Sequence, residues 1–567
     1  MLQTLTEIIK QDYEKWKDGQ VVFITAPTGS GKTHFCLHTL FPYAIEQGQR
    51  ILYLVNRKIL KEQIQKEVND VISMKPEWYY RGQQYLVLKT YQQIEEAVKN
   101  NYLGDELNGF RWIICDEAHY FMADSLFNTG TIFSFKEVVK HIGKATIIFM
   151  SATLDQEIEF ITDEARTVFV DIKRDQVKNN FPDRHWLTNT FKNPLTYTIQ
   201  SDYSYIKPDF IEHLEEIPKR VKASGKKKWL IFFNNIETGN ELKRYFKDTF
   251  EKETVFISSK YGDDFEARDA VGQIVNKKFS DYKIIIATSA LDNGVSIHDR
   301  NLRNLIILAD SKEQLIQMLG RKRRDDEPVH LYLYAGDKKV FNGRLQYYKE
   351  VQQYIQKFYS ICQSCNPNVS AFVPMLYDLR AAVKYVEELL KDQAASEAAH
   401  RFLSILNYRN DFGGHFSVNP FSIYEISNRI KFYKRIIEEM TIDELAFKRE
   451  QLSWLGFSED ILLQTIEDQK VRIKEQLAEK LNEFLRGEDS EADINQDELR
   501  KAMKPAIDDW ARLCPEFKKN LKNKINYIGQ DDRPITSDTF NSLIQAIGLP
   551  YQMDKLAPGK YGINKLN

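Results

Sequence analysis

Cysteine is scarce, with five residues in 567. They are too few and too scattered for a disulfide framework, which excludes the small stapled folds of secreted proteins. Cys36 and Cys115 stand within apolar stretches and read as small buried hydrophobes. Cys362 and Cys365 form the single C-x-x-C pair, with Cys514 the remaining thiol and His400 or His415 the conceivable partners. A structural zinc takes four ligands, usually as two close pairs, so reduced thiols are the expectation. Long apolar runs are missing as well. Lys10, Asp12, Glu14, Lys15 and Lys17 interrupt the start, leaving neither the h-region of a secretion signal nor a membrane span, and the expected compartment is the cytoplasm. Neither charge sign dominates: 79 Lys and Arg face 81 Asp and Glu, so the chain is no polycation and any affinity for nucleic acid has to be local. No repeat or low-complexity tract is evident.

What is present is a phosphate-binding pattern. Ala26-Pro27-Thr28-Gly29-Ser30-Gly31-Lys32-Thr33 follows the apolar run Val21 to Ile24. Small residues and glycines between a strand and a helix let backbone N–H groups close around phosphate oxygens, and the helix N-terminus adds partial positive charge. Thr28, Gly29, Ser30, Gly31, Lys32 and Thr33 are therefore the expected nucleotide-binding residues, with Lys32 reaching the outer phosphates. Asp116-Glu117-Ala118-His119 follows a second apolar run, Trp112 to Cys115. Thr33 and Asp116 would share Mg²⁺, and Glu117 is left to orient or deprotonate water. The expected cofactors are ATP and Mg²⁺.

Ala26 stands where the general phosphate loop has its first glycine. A-x-x-G-x-G-K-T followed by D-E-A-H resembles the superfamily two helicases of the DEAH-box type. Ser151-Ala152-Thr153, closing the strand Ala145 to Met150, is similar to that family's S-A-T segment. The resemblance therefore assigns His119, Ser151 and Thr153 to coupling hydrolysis with domain movement. Leu52 to Arg57 and Val87 to Gln92 sit where the family places loops that grip a nucleic-acid backbone, which points to Asn56, Arg57 and Thr90. Ile284 to Ile297 resembles a second-domain loop touching nucleotide and strand, with Gly294 at the nucleotide and Thr288 at the strand. Gln317-Met318-Leu319-Gly320-Arg321-Lys322-Arg323-Arg324 is similar to Q-x-x-G-R-x-G-R, so Gln317, Arg321 and Arg324 are expected at the triphosphate. Arg323 replaces the second glycine, which leaves the choice between Arg323 and Arg324 open.

Apolar strands alternate with helical stretches over residues 1–172 and again over 205–337, which implies parallel sheets with crossovers on both faces. The expected fold is α/β: two tandem RecA-like parallel-sheet lobes followed by a mostly α-helical C-terminal region. Five strands are expected in each lobe. A polar stretch, 173–204, is read as the inter-lobe linker, 338–488 as a helical accessory region and 489–567 as a small, mostly helical terminal module. Gly487 to Asp493 is an acidic break, and basic runs at Lys518 to Lys524 and Lys555 to Lys560 could face a phosphate backbone.

Two function classes follow. The first is an ATP-driven helicase or translocase on single-stranded or duplex nucleic acid; the second is an ATP-gated binding scaffold that does not separate strands. The paired carboxylates and arginines favour turnover. No aromatic-plus-Gln adenine signature is evident ahead of the phosphate loop, Gln11 being only a candidate. Together with the large helical C-terminal region, this favours DNA over RNA. No nuclease centre is visible, and the helical region could also dock a protein partner.

Overall fold

Val21–Thr25 (β1), Arg50–Val55 (β2), Leu86–Thr90 (β3), Phe110–Asp116 (β4) and Thr146–Ser151 (β5) are short runs buried along most of their length. Only a sheet covered on both faces accepts such strands. In the computed structural model they pair in parallel in the order β3-β2-β4-β5-β1, and Leu195–Thr198 (β6) adds a sixth parallel strand beside β1. Apolar side chains pack on each face. Phe23, Phe121, Phe135 and Phe149 lie on one, and Phe35, Trp16, Trp112 and Tyr53 on the other.

The structure describes residues 4–566 except 76–77, 79–81, 101–108, 142–143, 155–156, 177–193, 212–215, 234–235, 251–252, 259–263, 289–290, 292–295, 326, 335, 337, 366–375, 378–379, 393, 410–414, 486–493, 530–533 and 558–559. The chain divides into two compact units. One comprises Met1–Lys207, Ile217–Tyr332 and Asp337–Lys434, the other Pro208–Glu216, Leu333–Gly336 and Arg435–Asn567.

A second six-stranded sheet has the order β7-β12-β11-β8-β10-β9, from Ile206–Ile211 (β7), Lys228–Phe232 (β8), Thr254–Ile257 (β9), Ile284–Ala287 (β10), Leu302–Ile307 (β11) and Val329–Tyr334 (β12). β9, β10, β8 and β11 pair in parallel. Each sheet thus holds six strands where five were expected. The additions, β6 and β7, are edge strands with mixed burial, so they carry no continuous apolar run. β6 lies in the stretch read as linker; most of the rest of that stretch, 177–193, lies outside the described residues.

After β12 the chain is mainly helical, through Lys338–Cys365, Arg380–Lys391, Glu397–Ser404 and Pro420–Ile442. A small antiparallel sheet interrupts it, from Leu376–Tyr377 (β13), Leu406–Arg409 (β14) and His415–Val418 (β15). Cys362 is buried there among Val351, Ile355 and Phe358. The helix Pro420–Ile442 is tied into the first lobe. Phe421 is fully buried in its core, with ring centroids 4.9 Å from Phe135 and 5.9 Å from Phe121. Asn419 donates to Thr131 Oγ1 at 2.7 Å and Ser422 to the Ser125 carbonyl at 2.8 Å.

The second unit has one apolar core. It joins Leu477 and Leu481 of the helix Glu459–Asn482 to Leu499 and Met503 of Gln496–Leu513, to Phe540 of Ser537–Ile547, and to Ile563. That shared core holds residues from both sides of position 488; the acidic break at 487–493 lies outside the described residues. Its end is a hairpin of Tyr551–Ala557 (β16) and Lys560–Lys565 (β17). Of the basic runs, Lys518 pairs with Glu444 and Lys524 with Asp538, which neutralises part of their charge. No helix among the described residues is long and apolar enough to cross a membrane.

Phe421→Ala should destabilise the first lobe by roughly 3–5 kcal/mol, the cost of emptying a large buried aromatic site. Urea unfolding followed by tryptophan fluorescence measures it. A loss below about 1 kcal/mol, within the range of ordinary surface substitutions, would show that the lobe core closes without this helix.

Candidate functional site

The loop after β1 turns through two glycines with left-handed backbone, Gly29 at φ +89° and Gly31 at φ +87°, a conformation that side-chain-bearing residues rarely adopt. Gly31 precedes the helix Lys32–Phe35, so its free N-terminal N–H groups face the loop's hollow. Lys32 folds back into that hollow and donates to the Ala26 carbonyl at 2.6 Å and the Pro27 carbonyl at 3.3 Å. Burial pulls its ammonium below the ordinary lysine range, while Glu117 and Asp116 pull the other way.

β4 ends at Asp116, facing the same hollow. Its Oδ2 accepts from the Tyr53 hydroxyl at 2.9 Å and its Oδ1 from the Glu117 N–H at 3.0 Å. Burial first, then the neighbouring Glu117 charge, push the Asp116 carboxyl up to about 6. Glu117 goes the opposite way. Burial opposes its ionisation, but His119, Lys32, Arg321 and Arg323 together hold it below the ordinary range. Glu117 also has φ +50°, a strained position for a residue with a Cβ, of the kind that gathers at functional sites. Two carboxyls with separated affinities for protons suit a division of labour, one as an oxygen ligand and one as a base.

His119 is buried, and burial depresses its imidazole to about 4, so the ring is neutral at ordinary pH. Its Nδ1 lies 2.8 Å from Ser151 Oγ, and Ser151 Oγ accepts from the Thr153 N–H at 3.4 Å. On its other side Nε2 lies 4.0 Å from Glu313 of the second lobe, and Glu313 accepts from Gln317 at 3.2 Å. His119, Ser151 and Thr153 are thus contiguous. Gln317, expected at the nucleotide, is buried with its amide on Glu313.

The second lobe presents its arginines to the loop through the helix Lys312–Leu319 and the turn after it. A Cβ on Gly320 would come within 2.6 Å of Thr28 Oγ1, and one on Gly29 within 3.0 Å of Arg323 Nη1. The two lobes therefore meet where only glycines fit. Arg321 and Arg323 line a cleft of about 280 Å³ together with Gly29, Gly31, Lys32, Thr33, Asp116 and Glu117. Arg324 does not line it. Its guanidinium pairs with Asp202 at 2.8 Å and lies over the Tyr205 ring, half exposed, where Arg324 lines a neighbouring cavity that Arg323 also lines. Arg323 is oriented by its Nε donating to Ser296 Oγ at 3.0 Å and its N–H to the Ile297 carbonyl, which places it one residue earlier than the family pattern implies. Gly294 lies outside the described residues.

Arg323 Nη1 and Ser30 Oγ are buried and have no hydrogen-bond partner among the described residues. Unsatisfied donors at the edge of a glycine loop fit an anion such as a phosphate. Thr33 and Asp116 offer hard oxygen atoms in the same cleft, the donor type that Mg²⁺ takes. An adjoining cavity of about 480 Å³ shares Thr28, Gly29 and Arg323 and is walled by Ile199, Tyr203, Tyr205 and Leu319.

The expected strand contacts are less exposed than their sequence positions imply. Asn56, Thr90 and Thr288 are all buried. Thr90 caps the helix Tyr91–Lys99, its hydroxyl accepting from the Gln93 N–H. Arg57 is partly exposed and forms an ion pair with Asp124 at 3.1 Å. A pair missed in the sequence stands beside them. Lys61 is held below the ordinary lysine range by partial burial and by the positive charge of Lys89, and it donates to Gln93 at 2.9 Å. Two neighbouring ammonium groups, one in the first turn of the helix Lys58–Ser73 and one near the end of β3, suit a phosphate backbone.

Residues 2–156, the first lobe, match the family model described as Type III restriction enzyme, res subunit. That match, with the paired lobes and the loop geometry, supports a superfamily two helicase. No curated protein matches the chain. Among solved structures, S. cerevisiae Dbp5 bound to RNA and ADP BeF3 is 14% identical, with 57% of this chain and 81% of that chain covered and a TM-score of 0.40. Mss116p bound to ssRNA and AMP-PNP is 14% identical, with coverage of 64% and 82% and a TM-score of 0.42. Likeness at this level carries no inference about ligand or substrate.

Imidazole resonances followed by NMR should give His119 a midpoint of about 4. The folded state disfavours the protonated ring, so this group lowers stability as pH falls from 6.5 towards 4 and has no effect above that window. A midpoint at the ordinary 6.5 would show a solvated ring and break the proposed link through His119.

Proposed function

We propose that the chain is an ATP-dependent helicase or translocase of the DEAH-box type, acting on nucleic acid and on DNA in preference to RNA. The observation that carries this reading is the convergence of Lys32, Asp116 and Glu117 of one lobe with Arg321 and Arg323 of the other on a single glycine-lined cleft. In this reading Thr28 to Thr33 wrap the phosphates, and Lys32 exchanges the Ala26 and Pro27 carbonyls for phosphate oxygens. Thr33 and Asp116 would hold Mg²⁺, which when bound neutralises charge on the phosphates. Glu117, ionised at neutral pH, orients and deprotonates the attacking water. Arg321 and Arg323 stabilise the charge that develops on the transferred group, so turnover needs both lobes together.

The contacts from His119 to Ser151 and towards Glu313 supply a route by which the state of the cleft biases the arrangement of the lobes. Alternation between arrangements moves the protein along a strand gripped near Arg57, Lys61 and Lys89, with the buried Asn56, Thr90 and Thr288 shaping those loops. DNA is favoured because no adenine-reading aromatic-plus-Gln signature precedes the phosphate loop and the C-terminal part is a helical body. That body is also the surface expected to meet a protein partner.

Lys32→Ala should abolish ATP turnover, and Glu117→Gln should keep ATP bound while slowing hydrolysis by about 10²-fold or more. Equal turnover in Glu117→Gln and the parent removes Glu117 from the role of base. Arg323→Ala should cost about 10³-fold, whereas Arg324→Ala, which breaks a half-exposed ion pair, should stay within about threefold. The reverse ranking restores the register read from the sequence.

Single strands should stimulate turnover, and matched duplex assays should show DNA unwound faster than RNA. Lys61→Ala should weaken strand binding and reduce the slope of log affinity against log salt by about one, as the loss of one phosphate contact requires. Turnover indifferent to every strand at low salt would leave the gated-scaffold reading in place.

A further inference from the structure

Tyr53 is a fully buried tyrosine in the middle of β2, at a position where the strand needs only an apolar ring. Its hydroxyl donates to Asp116 Oδ2 at 2.9 Å. The phenol oxygen therefore holds a carboxylate assigned to Mg²⁺. A polar atom in so apolar a core is costly unless it is satisfied, and here its partner is a group whose orientation matters. Tyr91, at the start of the next helix, donates to the Asp116 main-chain carbonyl at 2.9 Å and makes no bond to the carboxylate. It provides an internal comparison.

We propose that Tyr53 is a positioning residue of the ion site: its hydroxyl fixes the Asp116 carboxylate in one orientation, so that Mg²⁺ meets a preset oxygen ligand. This rests on the ATP reading of the cleft. Outer groups that orient metal ligands characteristically set affinity through the entropy of the ligand they hold. Without the phenol, Asp116 Oδ2 has no side-chain donor among the described residues. The ring itself would still fill the core among Ile51, Ile114 and Met150.

The test uses the full chain and a fluorescent ATP analogue, titrated with Mg²⁺ and, separately, bound in EDTA. Tyr53→Phe should raise the Mg²⁺ concentration for half-maximal nucleotide binding roughly 10-fold and leave binding in EDTA unchanged. Tyr91→Phe, which removes a buried hydroxyl of the same kind from the main chain of Asp116, should leave the Mg²⁺ dependence as in the parent. Melting curves for both variants report any loss of packing. An unchanged Mg²⁺ dependence in Tyr53→Phe, or the same shift in both variants, overturns the positioning role while the ATP reading stands. A parent protein that binds no nucleotide at any Mg²⁺ concentration overturns the ATP reading and this proposal with it.

Discussion

Lys32, Asp116, Glu117, Arg321 and Arg323 are held largely out of water in one cleft, and much of the rest of the structure supports that concentration of charge. Unpaired, each would be expensive to bury. Their signs alternate across the cleft, so each offsets a neighbour: Lys32 and the arginines keep Glu117 ionised, while Glu117 and burial make Asp116 hard to ionise. Within the first lobe two carboxyls outnumber Lys32; Arg321 and Arg323 of the second lobe turn that excess positive, which suits an anionic ligand. Close approach at Gly320 accompanies that arrangement, since a Cβ there would come within 2.6 Å of Thr28 Oγ1.

The parallel sheets explain why these groups arrive at one place. β1, β4 and β5 are adjacent and point the same way, so the loops that follow them, carrying Lys32, Glu117 and Ser151, open on one edge. Ligand sites at the carboxyl ends of parallel strands are a consequence of that geometry. The left-handed Glu117 and the buried neutral His119 are costs borne there. They persist because β4 and β5 on either side fix the backbone, as the Ala118 N–H bonded to the Met150 carbonyl illustrates.

The sequence made the core strands and the cleft residues of the first lobe legible because each rests on a local pattern: an apolar run, a glycine turn, a residue pair at a strand end. β6 and β7 were not legible, since edge strands with alternating exposure look like polar connection. The choice between Arg323 and Arg324 was hidden for a different reason. Which guanidinium faces the cleft depends on where the turn after Gly320 is anchored, and that anchor is a long-range bond from Arg323 to Ser296 and Ile297. Burial of Asn56, Thr90 and Thr288 was likewise invisible, because strand-end loops read as surface until their capping bonds are known. Tyr53 left no signal at all, as a tyrosine in a buried strand reads as core.

The helical part of the first unit has a role that sequence separation concealed. All the groups proposed to face phosphate lie before residue 325, which made the remainder look dispensable for the cleft. Yet the helix Pro420–Ile442 places Phe421 and Ser422 in the first lobe, beside the segment that follows His119. Further along, Tyr433 donates to Asp310 of the second lobe at 2.7 Å, and Arg429 stands 3.9 Å from the same carboxylate, with Arg344 also paired to it. One helix therefore touches both lobes on either side of the cleft. Its first turn is seated in the first lobe and its middle at Asp310 of the second, so the helical region joins the two lobes whose side chains line the cleft.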